Sequence, residues 1–128
     1  MTFIAGGTGI TPFYQILQEV RYSDEPEKRP KINLIFANRT QADILLKDEL
    51  TDLAKINIVD VTFTVDSIKE GEEWAGHVGY LNKDVLEKHV SKPNPEHGII
   101  FCGPPPMNEF VSKTLAELGH SAENIIKY

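Results

Sequence analysis

The stretch Met1-Thr-Phe-Ile-Ala-Gly-Gly-Thr-Gly-Ile-Thr-Pro-Phe-Tyr14 decides the fold of this chain. Its apolar segment Phe3–Ala5 is typical of a buried strand, and Gly6–Gly9 follows it directly. We expect a helix next, with Thr11 as its N-cap and Pro12 as its first residue. The order of strand, glycine turn and helix predicts backbone N–H groups that face an anion, which we interpret as the pyrophosphate of a dinucleotide.

The spacing of this turn departs from the usual dinucleotide fingerprint. In G-x-G-x-x-G the third glycine would stand where this chain has Pro12. The turn alone therefore leaves two interpretations open, a phosphate-binding turn and a plain connection between a strand and a helix.

Length and composition limit the class of protein. The 128 residues fit one domain, and the net charge of −6 argues against a nucleic-acid partner. The single cysteine, Cys102, excludes an internal disulfide and suits the cytoplasmic side of an intracellular compartment. We see neither a signal peptide nor an apolar run of membrane-spanning length. Since Met1 lies almost on the first strand, we expect a module of a longer protein, which leaves open an upstream segment that attaches it to a membrane.

The rest of the chain alternates between strand and helix patterns. We predict a doubly wound, mostly parallel sheet of five to six strands with helices on both faces, in one domain over residues 1–128. Helices are expected after Pro12, after a capping box at Thr40–Asp43, after Asn82, and from a stiff Gly103–Pro106 turn as far as Gly119. Ser67–Gly79 is expected to be a loop. The predicted strands are Phe3–Ala5, Ile32–Ala37, Ile58–Val65, Gly98–Cys102 and Asn124–Tyr128.

The unusual residues of the chain fall where predicted strands end. These residues are Gly6–Thr11, Asn38–Thr40, Asp66 and Cys102–Pro106. In open parallel sheets, ligands bind outside the carboxyl ends of the strands, where the strand order reverses. Four such segments directed at one edge predict a binding cleft there.

Individual residues in this set allow two interpretations each. Asp66 either accepts hydrogen bonds from a ribose and repels a 2′-phosphate, which favours NADH, or is a solvated loop residue. Tyr80 either stacks on adenine or packs over the sheet edge. Cys102 either touches a nicotinamide or acts as a small apolar residue. Asp43 is better explained by the capping box, and the four histidines have no metal-ligand spacing.

Taken together, these residues resemble a known family. Ala5–Pro12, Phe36–Leu46, Thr64–Asp66 and Cys102–Met107 are similar to the NADH-binding half of cytochrome-b5 reductases and of eukaryotic assimilatory nitrate reductases, within the ferredoxin–NADP⁺ reductase superfamily. The resemblance covers essentially the whole chain. It is carried most specifically by the glycine turn together with Cys-Gly-Pro-Pro-Pro-Met.

The resemblance implies roles for these positions. Cys102 and Thr11 would lie at the catalytic nicotinamide end, where Cys102 tunes hydride transfer without acting as a nucleophile. Tyr128 would take the place of a C-terminal aromatic that lies against the flavin. The implied cofactor-binding set is Gly6, Gly7, Thr8, Gly9, Ile10, Thr11, Pro12, Asn38, Asp66, Tyr80, Cys102, Gly103, Pro104, Pro105, Met107 and Tyr128.

The implied function is that of an NADH-dependent flavoprotein reductase. Relatives carry an amino-terminal β-barrel domain that binds FAD, and no segment here matches it. The chain would bind NADH and pass a hydride to FAD in that partner domain, from which electrons go to a haem protein or haem domain. The alternatives are a stand-alone nucleotide-binding or regulatory module and, less favoured, direct reduction of small substrates, for which we find no acid.

Overall fold

Six parallel strands form one sheet at the centre of the molecule. A computed structural model describes all of residues 1–128. The spatial order of the strands is β4-β3-β2-β1-β5-β6, and every neighbouring pair is parallel. The prediction of a doubly wound sheet is confirmed, with six strands where five to six were predicted. The strands are β1 (Thr2–Gly6), β2 (Asn33–Asn38), β3 (Asp60–Val65), β4 (His77–Val78), β5 (Ile99–Cys102) and β6 (Ile125–Lys127).

Four helices cover the two faces of this sheet. They are α1 (Ile10–Arg21), α2 (Lys47–Lys55), α3 (Lys83–His89) and α4 (Pro105–Glu117). Phe13 of α1 and Leu50 of α2 join one core cluster, whereas Leu86 of α3 and Val111 of α4 join the other. Predicted helices on both faces are therefore confirmed. None of these helices combines the length and the apolar character needed to span a membrane.

The alternation of side chains along β1 explains its unbroken apolar sequence. Phe3 and Ala5 point into the α1–α2 core, and Ile4 points into the α3–α4 core. Successive strand residues face opposite sides of a sheet, so a strand covered on both faces is apolar at every position. All three side chains are fully buried.

The strand order creates a switch point beside β1. The chain runs outward from β1 to β4 on one side, then crosses to β5 on the other side of β1. Ala5 lies opposite Cys102 in the pairing of β1 with β5, and Gly6 lies opposite Ala37 in the pairing of β1 with β2. The turns that follow β1, β2 and β5 therefore lie side by side at the carboxyl edge of the sheet.

The predicted capping box is wrong. Gln41–Asp43 forms a 3-10 turn, and α2 begins only at Lys47, after Leu46 in the left-handed conformation at φ 57°. The Thr40 hydroxyl donates to the Asp43 carboxylate over 2.8 Å instead of accepting from a backbone N–H. Ile44 is buried in the core without being helical, so the apolar pattern reflected burial and not helical periodicity.

Smaller differences occur elsewhere, and two helix ends agree with expectation. The predicted Ser67–Gly79 loop contains the two-residue strand β4, and β3 begins at Asp60, two residues late. The predicted Gly103–Pro106 turn is shorter, because α4 begins at Pro105. Proline fits there, since the first helical N–H groups need no intrahelical partner. Asn82 caps α3 through the Val85 N–H at 2.9 Å, and Gly119 follows α4 at φ 91°.

Acid should destabilise this fold through its histidines. Burial lowers the pKa of His89, His97 and His120 below the ordinary value, so the folded state binds protons less readily than the unfolded chain. This contribution to stability is present above the unfolded pKa of about 6.5 and is lost as the pH falls below it. The free energy of unfolding, measured in urea, should therefore decrease from pH 7.5 to 5.5.

The variant His97→Gln provides the check on that explanation. Nε2 of His97 lies 2.8 Å from Oγ1 of Thr2, and a glutamine amide keeps a hydrogen-bonding group there without titrating. The slope of stability against pH should become shallower in this variant. An unchanged slope would show that His97 does not contribute.

Candidate functional site

The glycine turn after β1 differs in detail from the prediction. Gly7–Gly9 forms a 3-10 turn, and α1 starts at Ile10 with Gly9 as its N-cap. Thr11 is therefore not the N-cap, and Pro12 is the third helical residue. The Thr11 hydroxyl donates to the Thr8 carbonyl over 3.2 Å and makes no side-chain cap, since Thr11 is already the second helical residue. Pro12 is tolerated because the third N–H of a helix also lacks an intrahelical partner.

Two turns meet at the switch point in direct backbone contact. A Cβ atom on Gly9 would overlap the Cys102 carbonyl and would lie 3.1 Å from the Gly103 nitrogen. A Cβ on Gly6 would lie 2.5 Å from Sδ of Met107. A Cβ on Gly103 would overlap Cε of the same methionine. The absence of side chains at these glycines is what lets the turn after β1 reach the end of β5.

Unpaired hydrogen-bond donors lie at this carboxyl edge of the sheet. The N–H groups of Arg39, Thr40 and Gly103 have no acceptor within the chain. Nδ2 of Asn38 also has no partner, although the residue is only 7% exposed at the end of β2. Buried polar groups are nearly always hydrogen-bonded. The edge is therefore chemically suited to a ligand that supplies acceptor oxygens.

Asp66 follows β3 and is tied to the turn after β2. Its N–H donates to the carbonyls of Asn38 and Arg39, each at 3.0 Å. Burial raises the pKa of the Asp66 carboxyl above its ordinary value, and the Arg39 charge acts in the opposite direction. The Gly79 N–H donates to the Val65 carbonyl over 2.8 Å, which brings Tyr80 close to the same strand end. Tyr80 is 78% exposed, so its ring is not used in the core.

Cys102 ends β5, and Tyr128 directly follows the neighbouring strand β6. Cys102 is half-buried and packs against the α1–α2 core. The Tyr128 N–H donates to the Phe101 carbonyl over 2.9 Å, and the Tyr128 side chain is 66% exposed. An aromatic ring therefore stands free beside the end of β5.

The predicted site residues thus gather at one edge, with a few departures. Gly6–Thr11, Asn38, Asp66 and Cys102–Gly103 share the carboxyl edge, whereas Pro105 belongs to α4. Asn108 of α4, which also contacts this edge, was missed by sequence reasoning. Its spacing from Val111 and Leu115 places it on the buried stripe of the helix, and a polar residue there was the available signal.

Two grooves on the surface lie away from the glycine turn. One, of about 720 Å³, runs between α4 and β6, and its lining includes Asn108 and Lys127. The other, of about 790 Å³, lies beside β3 under Trp74 and Lys47. Neither groove is lined by the glycine turn, Asp66 or Tyr80.

Comparisons with known proteins agree with this geometry. Residues 3–113 match the family model described as the oxidoreductase NAD-binding domain. NADH-cytochrome b5 reductase 2 of Lodderomyces elongisporus is 37% identical over 143 residues, which cover 100% of this chain and 47% of that protein. Nitrate reductase [NADH] 1 of Phaseolus vulgaris is 40% identical over 127 residues, covering 97% of this chain and 14% of that protein.

A solved structure shows the same arrangement of backbone. The cytochrome b5 reductase domain of Ulva prolifera nitrate reductase superposes with a TM-score of 0.88 at 34% identity, over 99% of this chain and 48% of that one. The present chain thus spans about half the length of the reductases that it matches, or less.

Substituting alanine for glycine tests the contact between the two turns. Gly9→Ala places a Cβ inside the Cys102 backbone carbonyl, and overpacking of this kind lowers the free energy of unfolding by roughly 1–3 kcal/mol, whereas the Cβ of Gly103→Ala overlaps only the flexible end of Met107 and should cost less. Gly98→Ala is the matched control, because a Cβ there meets open space. Urea unfolding should show Gly9→Ala as clearly less stable than Gly98→Ala, with Gly103→Ala between them, and equal stability of Gly9→Ala and Gly98→Ala would contradict the packing described.

Proposed function

The chain belongs to the oxidoreductase NAD-binding domain family, and we propose that it is the NADH-binding part of a flavoprotein reductase. In this proposal, bound NADH gives a hydride to FAD held by a partner domain of the same protein. Electrons then pass singly to a haem protein or haem domain. The observation that carries the proposal is the meeting of the glycine turn with Cys102 and Gly103 at the switch point.

The chain's own groups account for binding of the coenzyme. The glycine turn at the start of α1 would hold the pyrophosphate, because a helix N-terminus favours an anion. The unpaired Nδ2 of Asn38 and the Arg39 N–H supply further donors nearby. On this model Asp66 accepts from the adenosine ribose, and the exposed ring of Tyr80 covers the adenine.

The nicotinamide end would lie between the two turns. Thr11, Cys102 and Gly103 border that position, and Met107 packs behind Gly6 and Gly103. FAD would supply the acceptor of the hydride, and this chain would orient the nicotinamide toward it. Tyr128 is exposed beside the end of β5, where it can contact a flavin in the partner domain.

The partners are proposed from the relatives. Cytochrome b5 reductases and nitrate reductases [NADH] are about twice as long as this chain or longer. We propose that an FAD-binding domain accounts for part of that length and that a haem group accepts the electrons. The single free cysteine, Cys102, is compatible with the cytoplasmic side of the cell, and an upstream segment is the proposed route to a membrane.

Coenzyme choice should depend on Asp66. Its carboxylate repels the 2′-phosphate of NADPH, and removing one close charge changes affinity by about one kcal/mol in a water-exposed site. Asp66→Asn should therefore bind NADPH roughly 5- to 10-fold more tightly while NADH affinity changes less. Fluorescence titration of each reduced coenzyme into the chain measures both affinities.

Asp60→Asn is the control for this experiment. Asp60 is exposed at the opposite end of the same strand, so the variant loses one negative charge without approaching the carboxyl edge. If Asp60→Asn and Asp66→Asn changed NADPH binding equally, the effect would be one of net charge and the proposed role of Asp66 would fail.

Flavin reduction tests the larger proposal. This chain should replace the matching half of the Ulva prolifera cytochrome b5 reductase domain, since the two superpose closely. NADH should then bleach the oxidised flavin absorbance of the chimera. Tyr128→Ala should bind NAD⁺ more tightly, because the nicotinamide no longer has to displace the tyrosine ring.

Tyr22→Ala is the matched control, since Tyr22 is also an exposed tyrosine, 71% accessible, at the far end of α1. It should leave NAD⁺ binding unchanged. A chimera that holds FAD and binds NADH without reducing the flavin would instead support a nucleotide-binding module with no electron transfer.

A further inference from the structure

A buried amide supports the turn that borders the nicotinamide end. Asn108 lies in the first turn of α4 and is 9% exposed. Its Nδ2 donates to the Gly103 carbonyl over 2.8 Å, and its backbone N–H donates to the Pro104 carbonyl over 3.0 Å. We propose that Asn108 is a positioning residue that fixes Gly103 for coenzyme binding, an inference that rests on the proposed function.

The Gly103 peptide groups show why such support matters. The Gly103 carbonyl belongs to the bond with Pro104, which has no N–H, so the turn has few ways to hold itself. Asn108 engages that carbonyl from the α4 side. On the other side, the Gly103 N–H has no acceptor and lies alongside Gly9. Holding the carbonyl therefore restricts the movement of Gly103, the residue that carries this free donor beside Gly9.

Packing alone does not explain an asparagine at position 108. Oδ1 of Asn108 is buried and has no hydrogen-bond partner. Asn108 shares the inward stripe of α4 with Val111 and Leu115, where an apolar side chain would remove the unpaired Oδ1 but would also leave the Gly103 carbonyl without its donor. A buried acceptor without a partner is destabilising, so the amide detracts from stability while it holds Gly103. This combination points to a role in the site.

Two ligands separate positioning of the nicotinamide end from general support of the fold. NADH carries the nicotinamide, whereas ADP-ribose keeps the adenosine and the pyrophosphate but lacks that ring. The two variants are Asn108→Asp, which replaces the donor with an oxygen, and Asn108→Leu, which removes the amide at similar size. Each ligand is titrated into the full 128-residue chain and into both variants, and urea unfolding is measured in parallel.

Both variants should bind NADH roughly 3- to 10-fold more weakly, as loss of one buried hydrogen bond implies, and ADP-ribose within about 2-fold of the original chain. Asn108→Leu should unfold at a urea concentration close to that of the original chain, because removal of the unpaired Oδ1 offsets loss of the donor to Gly103. If Asn108→Asp does not fold, Asn108→Leu decides alone. Asn124→Asp is the control, because its amide also donates to a carbonyl, that of Asn94 at 3.4 Å.

The outcomes separate the two proposals. If the original chain binds neither ligand, the proposed function fails. If it binds both and the Asn108 variants weaken NADH and ADP-ribose equally, or leave NADH unchanged, the positioning role is overturned. If Asn124→Asp weakened NADH binding as much as Asn108→Asp does, the positioning role would also be overturned, because the added negative charge would then explain the effect.

Discussion

The contact between two backbone turns is the constraint on which the rest of this structure depends. The turn after β1 and the turn after β5 approach so closely that Gly9 faces the Cys102 carbonyl without room for a side chain. Met107 fills the space behind Gly6 and Gly103. This contact is possible only because β1 and β5 are neighbours in register, with Ala5 opposite Cys102. Sheet topology, helix starts and the predicted site therefore meet at one point.

The two cores hold that point in place from either side. The α1–α2 core anchors the helix that leaves the glycine turn, and the α3–α4 core anchors the helix that leaves the Gly103 turn. Phe13 stacks on Phe3 with ring centroids 4.8 Å apart, which ties α1 to the strand that precedes it. The loop-borne groups at the edge are thus carried on rigid elements, as a precise ligand site requires.

The sequence was sufficient for the sheet and for placing the predicted site residues at one edge of it, because both depend on strong local patterns. Continuous apolar runs identify strands buried on two faces, and glycines mark the turn after β1. Predictions from the local sequence pattern were wrong where contacts with distant parts of the chain determine the secondary structure. Ile44 looked helical but is held by the core, and β4 exists only because two residues pair with Thr64 and Val65.

The candidate site likewise contains residues that the local sequence identified and residues that it did not. Residue type and position at a strand end were enough to single out Gly6–Gly9, Asp66 and Cys102. Their roles toward a coenzyme stay predictions. Thr11 was misassigned as the N-cap, because α1 begins one residue before it, at Ile10. Asn108 became visible only when its amide was found against Gly103, five residues back along the chain.

The central position of β1 also affects how the molecule is made. β1 can pair with β2 as soon as residue 38 has been synthesised, but its other neighbour, β5, begins at Ile99. On the ribosome, one edge of the most buried strand therefore stays open while some sixty further residues are added, and open strand edges invite pairing with other chains. Until Cys102 has been added, the nascent chain therefore exposes the backbone groups of β1 on its β5 side to pairing with other chains.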